Sequence, residues 1–128
     1  MRWAAAFLLA AVVSAPLAAA NPVAAGMDGA WTVDLSTKPG EPYTKDMVLT
    51  LKPDGTVSGS FYDSTIETGR WKLDRGRTCV SFRTTDGQGP YHSAACLDAS
   101  GSGVQGQTWA EHRNFLFNWN AVRKAGED

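Results

Sequence analysis

Residues 78–97 read TCVSFRTTDGQGPYHSAACL, two runs of strand-forming residues on either side of Asp86-Gly87-Gln88-Gly89. With Gly87 and Gln88 as the two loop residues of a hairpin, Asp86 faces Gly89, and equal steps outward set Cys79 opposite Cys96. These are the two cysteines of the chain. Facing pairs alternate between hydrogen-bonded and non-hydrogen-bonded, and Thr85 with Pro90 falls at a pair that asks no ladder N–H of the proline. Cys79 with Cys96 falls in the same class, where Cα atoms approach closely enough to bridge. A disulfide there is worth on the order of 3 kcal/mol in the chain-entropy account.

Outward from this hairpin the chain is made of short apolar/polar alternations separated by turn residues. No helical period is sustained, so the reading is all-β. Upstream, strands are expected over Ala30–Ser36 (Trp31, Val33 and Leu35 on one face), Asp46–Lys52 (Met47, Leu49, Leu51), Thr56–Tyr62 (Val57, Gly59, Phe61) and Glu67–Leu73 (Gly69, Trp71, Leu73). The central hairpin gathers Val80, Phe82, Tyr91, Ala95 and Leu97 on its apolar side and leaves the disulfide outward. Downstream, Val104–Trp109 and Asn114–Arg123 follow, the last with Phe115, Phe117, Trp119 and Ala121 alternating with asparagines, Leu116 and Val122.

One turn fixes a register. A two-residue Asp54-Gly55 loop would put the flanking apolar faces out of step. A turn through Pro53-Asp54 with Gly55 as a left-handed bulge instead sets Leu51 against Val57 and Met47 against Phe61. Eight strands joined by short connections describe an antiparallel up-and-down meander that closes into a barrel, with Gly59, Gly69 and Gly106 permitting the coiling. An open two-sheet sandwich is the alternative, decided by whether the last strand pairs with the first.

The ends of the chain have a different character. Met1-Arg2, the apolar run Trp3–Val13 and Ala18-Ala19-Ala20 make residues 1–20 a signal peptide cleaved after Ala20. Export to a bacterial periplasm or secretion follows, in agreement with a disulfide. Residues 21–27 (NPVAAGM) read as a flexible leader, 28–123 as the barrel domain and 124–128 as a disordered tail. No second apolar run implies a membrane span, and no cysteine near the cut implies a lipid anchor. The formal charge of −1, with no Lys/Arg stripe, argues against nucleic acid as a partner.

Gly29-Ala30-Trp31 at the first strand and Arg123 at the last resemble the calycin pattern of lipocalins and avidins. There a G-x-W packs at the closed end of an eight-stranded barrel and, in lipocalins, a late basic residue lies over the Trp. The resemblance implies a structural plug of Trp31 and Arg123, the guanidinium sealing an indole face. Asp54–Ser64 (DGTVSGSFYDS) and Gly106-Gln107 are also similar to avidins. Val33 stands where avidins place a polar ligand contact, and the first strand of the central hairpin has no tryptophan. The resemblance therefore implies the fold and not biotin.

Catalytic signatures are absent: no G-x-S-x-G, P-loop, H-E-x-x-H or C-x-x-C occurs. His92 and His112 have no second His or Cys at ligand spacing, and a disulfide removes cysteine chemistry. Glu67 is expected to point inward beside Phe61, orienting a ligand or pairing with Arg70 or Arg113. No enzymatic activity, cofactor or metal is expected.

Topology gives the stronger lead, because alternate connections of a meander share one end. That rim would hold Tyr43, Tyr62, Asp63, Ser64, Tyr91, Trp109, His112 and Arg113, including all three tyrosines of the chain. The expectation is an exported, non-catalytic binding protein. Its ligand is a small apolar or amphipathic molecule entering the mouth, or a protein partner resting on the rim. The alternatives are a secreted protease inhibitor acting through the leader and a structural envelope protein. An interior filled by Trp71, Phe82, Phe117 and Trp119 would leave only the rim for binding.

Overall fold

The computed structural model describes residues 26–125. The expected signal peptide, its cleavage site, leader residues 21–25 and tail residues 126–128 lie outside the described residues. The strands are β1 (Gly29–Asp34), β2 (Thr44–Leu51), β3 (Thr56–Phe61), the two-residue β4 (Ser64–Thr65), β5 (Glu67–Asp74), β6 (Arg77–Thr85), β7 (Pro90–Leu97), β8 (Gly103–Ala110) and β9 (Phe115–Arg123). Each long strand pairs antiparallel with the next, β3 passing to β5, and β9 returns to β1 with Trp31 opposite Arg123. The result is a closed eight-stranded up-and-down barrel with β4 as a small flap, and not a sandwich. Closure removes the free sheet edges that would otherwise template aggregation.

The registers follow from side-chain parity. Leu51 pairs with Val57 and Met47 with Phe61, as the Pro53-Asp54-Gly55 turn requires. Thr85 pairs with Pro90 and Cys79 with Cys96, whose Cα atoms are 4.0 Å apart and whose sulfurs are bonded. On β6 the alternation Thr78, Val80, Phe82, Thr84 is buried, so the disulfide lies on the outer wall. Glycine is demanded where strands approach closely, Gly59 and Gly106 among them. Gly59 has φ +136° and a Cβ there would strike the Val48 carbonyl, while a Cβ at Gly106 would occupy the space of the Trp119 ring.

One end is packed solid. Trp31, Val33, Met47, Leu49 and Val104 are fully or almost fully buried, each large side chain contributing about 1.5–3 kcal/mol. The Arg123 guanidinium lies 4.2 Å from the centre of the Trp31 ring and donates hydrogen bonds to the carbonyls of Asp28 and Gly26. Met27, assigned from sequence to the leader, is 0% exposed, and its carbonyl accepts a bond from the Trp31 indole at 3.0 Å. The packed domain therefore begins before Asp28. Lys124, assigned to the tail, donates its N–H to Ala30 and its ammonium to Asp46, extending the β1–β9 pairing.

Two further expectations are corrected on β5. Leu73 is 51% exposed, because β3 pairs with β5 only at Thr56–Arg70 and Val57–Gly69 and the rest of the strand overhangs. Glu67 does not point inward. A register shift between Glu67 and Arg70, with Thr68 at φ 48°, turns its carboxylate outside to Arg83 at 3.0 Å, and Ile66 takes the buried place.

Candidate functional site

The other end of the barrel is open. The connections 35–43, 62–63, 86–89 and 111–114 all emerge there, as meander parity dictates. They surround a cavity of about 760 Å³ whose lining includes Leu35, Phe61, Thr84, Phe115 and Phe117 along the walls. Its floor is an aromatic layer: Phe61 meets Phe82 edge-on at 5.4 Å and Trp119 at 5.1 Å between centroids. The four aromatics expected to fill the interior thus divide their roles. Phe82 and Trp119 are buried, Phe117 lines the cavity, and Trp71 is half-buried near the closed end, its indole bonded to the Lys52 carbonyl.

The polar wall is uneven. Thr108 Oγ1 accepts the Trp119 indole N–H at 2.9 Å and shares a hydrogen bond with Ser93 at 2.8 Å, so its capacity is largely used. Thr84 is 4% exposed and forms no side-chain hydrogen bond among the described residues. No buried side-chain nitrogen or oxygen lacks a partner there, so the Thr84 hydroxyl must open onto the cavity it lines.

Two tyrosine clusters build the rim. In the first, Asp34 Oδ1 accepts the backbone N–H groups of Ser36 and Tyr43, folding the β1–β2 connection over the mouth. That brings the Tyr43 hydroxyl into hydrogen bond with Tyr62. Tyr62 and Asp63 are the central residues of a two-residue hairpin between β3 and β4, and Lys45 bonds Asp63 at 3.1 Å while lying 5.1 Å from the Tyr62 ring centre. In the second cluster, Tyr91 donates to Asp86 Oδ2 at 2.7 Å and accepts from Arg113 Nη1 at 3.0 Å. The Tyr91 bond, the Gln88 N–H and the nearby His112 hold the Asp86 carboxyl below its ordinary range.

Of the eight residues expected at the rim, Tyr43, Tyr62, Asp63, Ser64, Tyr91 and Arg113 line the cavity. His112 stands behind it, its ring edge-on to Tyr91 at 5.1 Å and its Nε2 3.9 Å from Asp86. Trp109 is a correction: it is 38% exposed on the outer wall between His92 and Leu116, because its neighbours Thr108 and Ala110 take the inward positions. The alternation starting at inward Val104 already excluded it. Lining residues not singled out from sequence include Thr84 and Asp86 and, on the β1–β2 connection, Lys38 and Glu41. Thr84 carried a signal, lying two residues from Phe82 on the inward face. The connection carried only its parity.

Among the described residues no group of three or more His, Cys, Asp or Glu side chains is placed to hold a metal ion, and no helix is long and apolar enough to cross a membrane. The fold is a closed barrel consistent with the calycin type. Compared with protein-family models and with curated proteins, the chain matches none.

Proposed function

We propose that this is an exported, non-catalytic binding protein that takes a small amphipathic molecule into the open end of its barrel. The observation that carries the reading is the cavity of about 760 Å³, which falls in the range that small-molecule sites occupy. Phenylalanine and leucine side chains supply its apolar surface. Tyrosines and an arginine at the rim supply the few convergent polar groups that orient a ligand with little loss of rotamer freedom. The solid opposite end acts as a rigid base, so the site is pre-formed and binding costs little ordering.

Thr84→Phe tests the reading by filling the cavity from its wall. Titrated with the fluorescent probe anilinonaphthalene sulfonate, the parent protein should bind saturably and Thr84→Phe should bind at least about tenfold more weakly, a difference of about 1.4 kcal/mol. Equal affinity in the two proteins, both still folded by circular dichroism, would remove the cavity from the account.

A further inference from the structure

Resting on the binding reading above, we infer that the ligand is a hydroxylated aromatic acid of one or two rings and not a hydrocarbon chain. Its ring packs against Phe61 and Phe117, its ring hydroxyl meets Thr84, and its carboxylate meets Arg113.

Thr84 argues against a chain. Its hydroxyl is almost wholly shielded from bulk solvent, lines the cavity and has no partner among the described residues. An alkyl segment laid over it would desolvate it without replacing the lost bond, at about 1–3 kcal/mol. A ligand hydroxyl or carbonyl at that height supplies the bond instead. Thr108 cannot substitute, since Trp119 and Ser93 already engage its oxygen.

Arg113 argues for an anion. One N–H is spent on the Tyr91 hydroxyl, and no carboxylate among the described residues forms an ion pair with the guanidinium. Asp86, the acidic group closest in the network, has Oδ2 taken by Tyr91 and Oδ1 by the Gln88 N–H at 2.8 Å. Lys45 is committed to Asp63, and Lys38, the other cation of the lining, shares the β1–β2 connection with the lining carboxylate Glu41. A planar guanidinium with donors to spare is suited to a carboxylate.

The aromatic lining argues for a ring. Thr84 and Tyr91 are Cα partners across β6 and β7, and Arg113 bonds the far end of Tyr91. The hydroxyl and the guanidinium therefore belong to the same side of the cavity, the first on the β6 wall and the second on the rim connection. A phenolic acid carries a hydroxyl at one end of its ring and a carboxylate at the other, the order in which the wall and the rim present these two partners. Phe61 in the aromatic floor, and Phe115 and Phe117 stacked at 5.2 Å on β9, offer flat faces for a ring.

The experiment is calorimetric titration of the intact protein, Arg113→Gln and Thr84→Val with para-hydroxycinnamate, its methyl ester, cinnamate and decanoate. The parent should bind para-hydroxycinnamate, with the ester and cinnamate each at least about tenfold weaker. Arg113→Gln should erase the difference between acid and ester, and Thr84→Val the difference between para-hydroxycinnamate and cinnamate. Decanoate binding as tightly as para-hydroxycinnamate, or ester binding as tightly as acid, overturns the ligand class. Failure of all four where the fluorescent probe still binds and Thr84→Phe blocks it also overturns the class but leaves the cavity reading standing. Failure of all four together with the fluorescent probe overturns both.

Discussion

Tyr62 and Asp63 sit in the left-handed region at φ 54° and 65°, where a side-chain-bearing residue costs about 1–2 kcal/mol. The two-residue hairpin demands that conformation, and Asn-Gly would meet it without strain. The cost is offset by what the turn presents: a phenol bonded to Tyr43 and a carboxylate bonded to Lys45. The Tyr43 bond first, then shielding from water, pushes the Tyr62 hydroxyl up to about 12. A raised pKa means the folded state holds this proton more tightly than the unfolded chain. The stabilisation is complete below about pH 10 and is lost as pH climbs towards 12. Tyrosinate absorbance should therefore show one late-ionising tyrosine, and Tyr43→Phe should return it towards about 10. An unshifted late phase in Tyr43→Phe would mean that the two phenols are not partners. At this scale the sequence told where the tyrosines go, since parity sends their connections to one end. It did not reveal that Tyr62 is strained, because Tyr-Asp carries no hairpin-turn signal.

The β6–β7 hairpin is the element most fully legible in advance. Its turn, its proline and its cysteines agree on a single register, and a one-residue slip would have moved every inward side chain outward. The disulfide closes a separation of 17 residues on the outer wall and touches neither the cavity nor the packed base. Its effect therefore falls mainly on the unfolded chain. The double variant Cys79→Ser/Cys96→Ser should lose about 3 kcal/mol in urea unfolding while keeping its affinity for the fluorescent probe. Unchanged stability, or lost binding, would contradict that assignment. The β4–β5 segment shows the opposite case. Alternation placed Glu67 inward, but the Thr68 bulge inserts a residue that a period-two count cannot see, so Ile66 is buried and Glu67 meets Arg83 outside.

For the whole molecule, the division into a solid end and an open end is what a binding role requires. The cyclic pairing that closes it depends on contacts between residues as distant as Trp31 and Arg123. Strand count, order and parity were legible because each is written in local alternation. Closure was not, since no local pattern states that the last strand meets the first. The cavity was not legible either, because four inward aromatics leave open how much volume they fill. Only the placement of Phe61, Phe82 and Trp119 as a floor leaves the space above them free. The most direct test of the central claim is amide chemical-shift mapping by NMR as anilinonaphthalene sulfonate is added to the folded protein. The shifts should concentrate on residues 35–43, 61–64, 84–91, Thr108, Arg113, Phe115 and Phe117, with the turns at 53–55, 75–76 and 98–102 unmoved. Shifts confined to the outer wall around Trp109 and Leu116, or to the turns of the packed end, would contradict it.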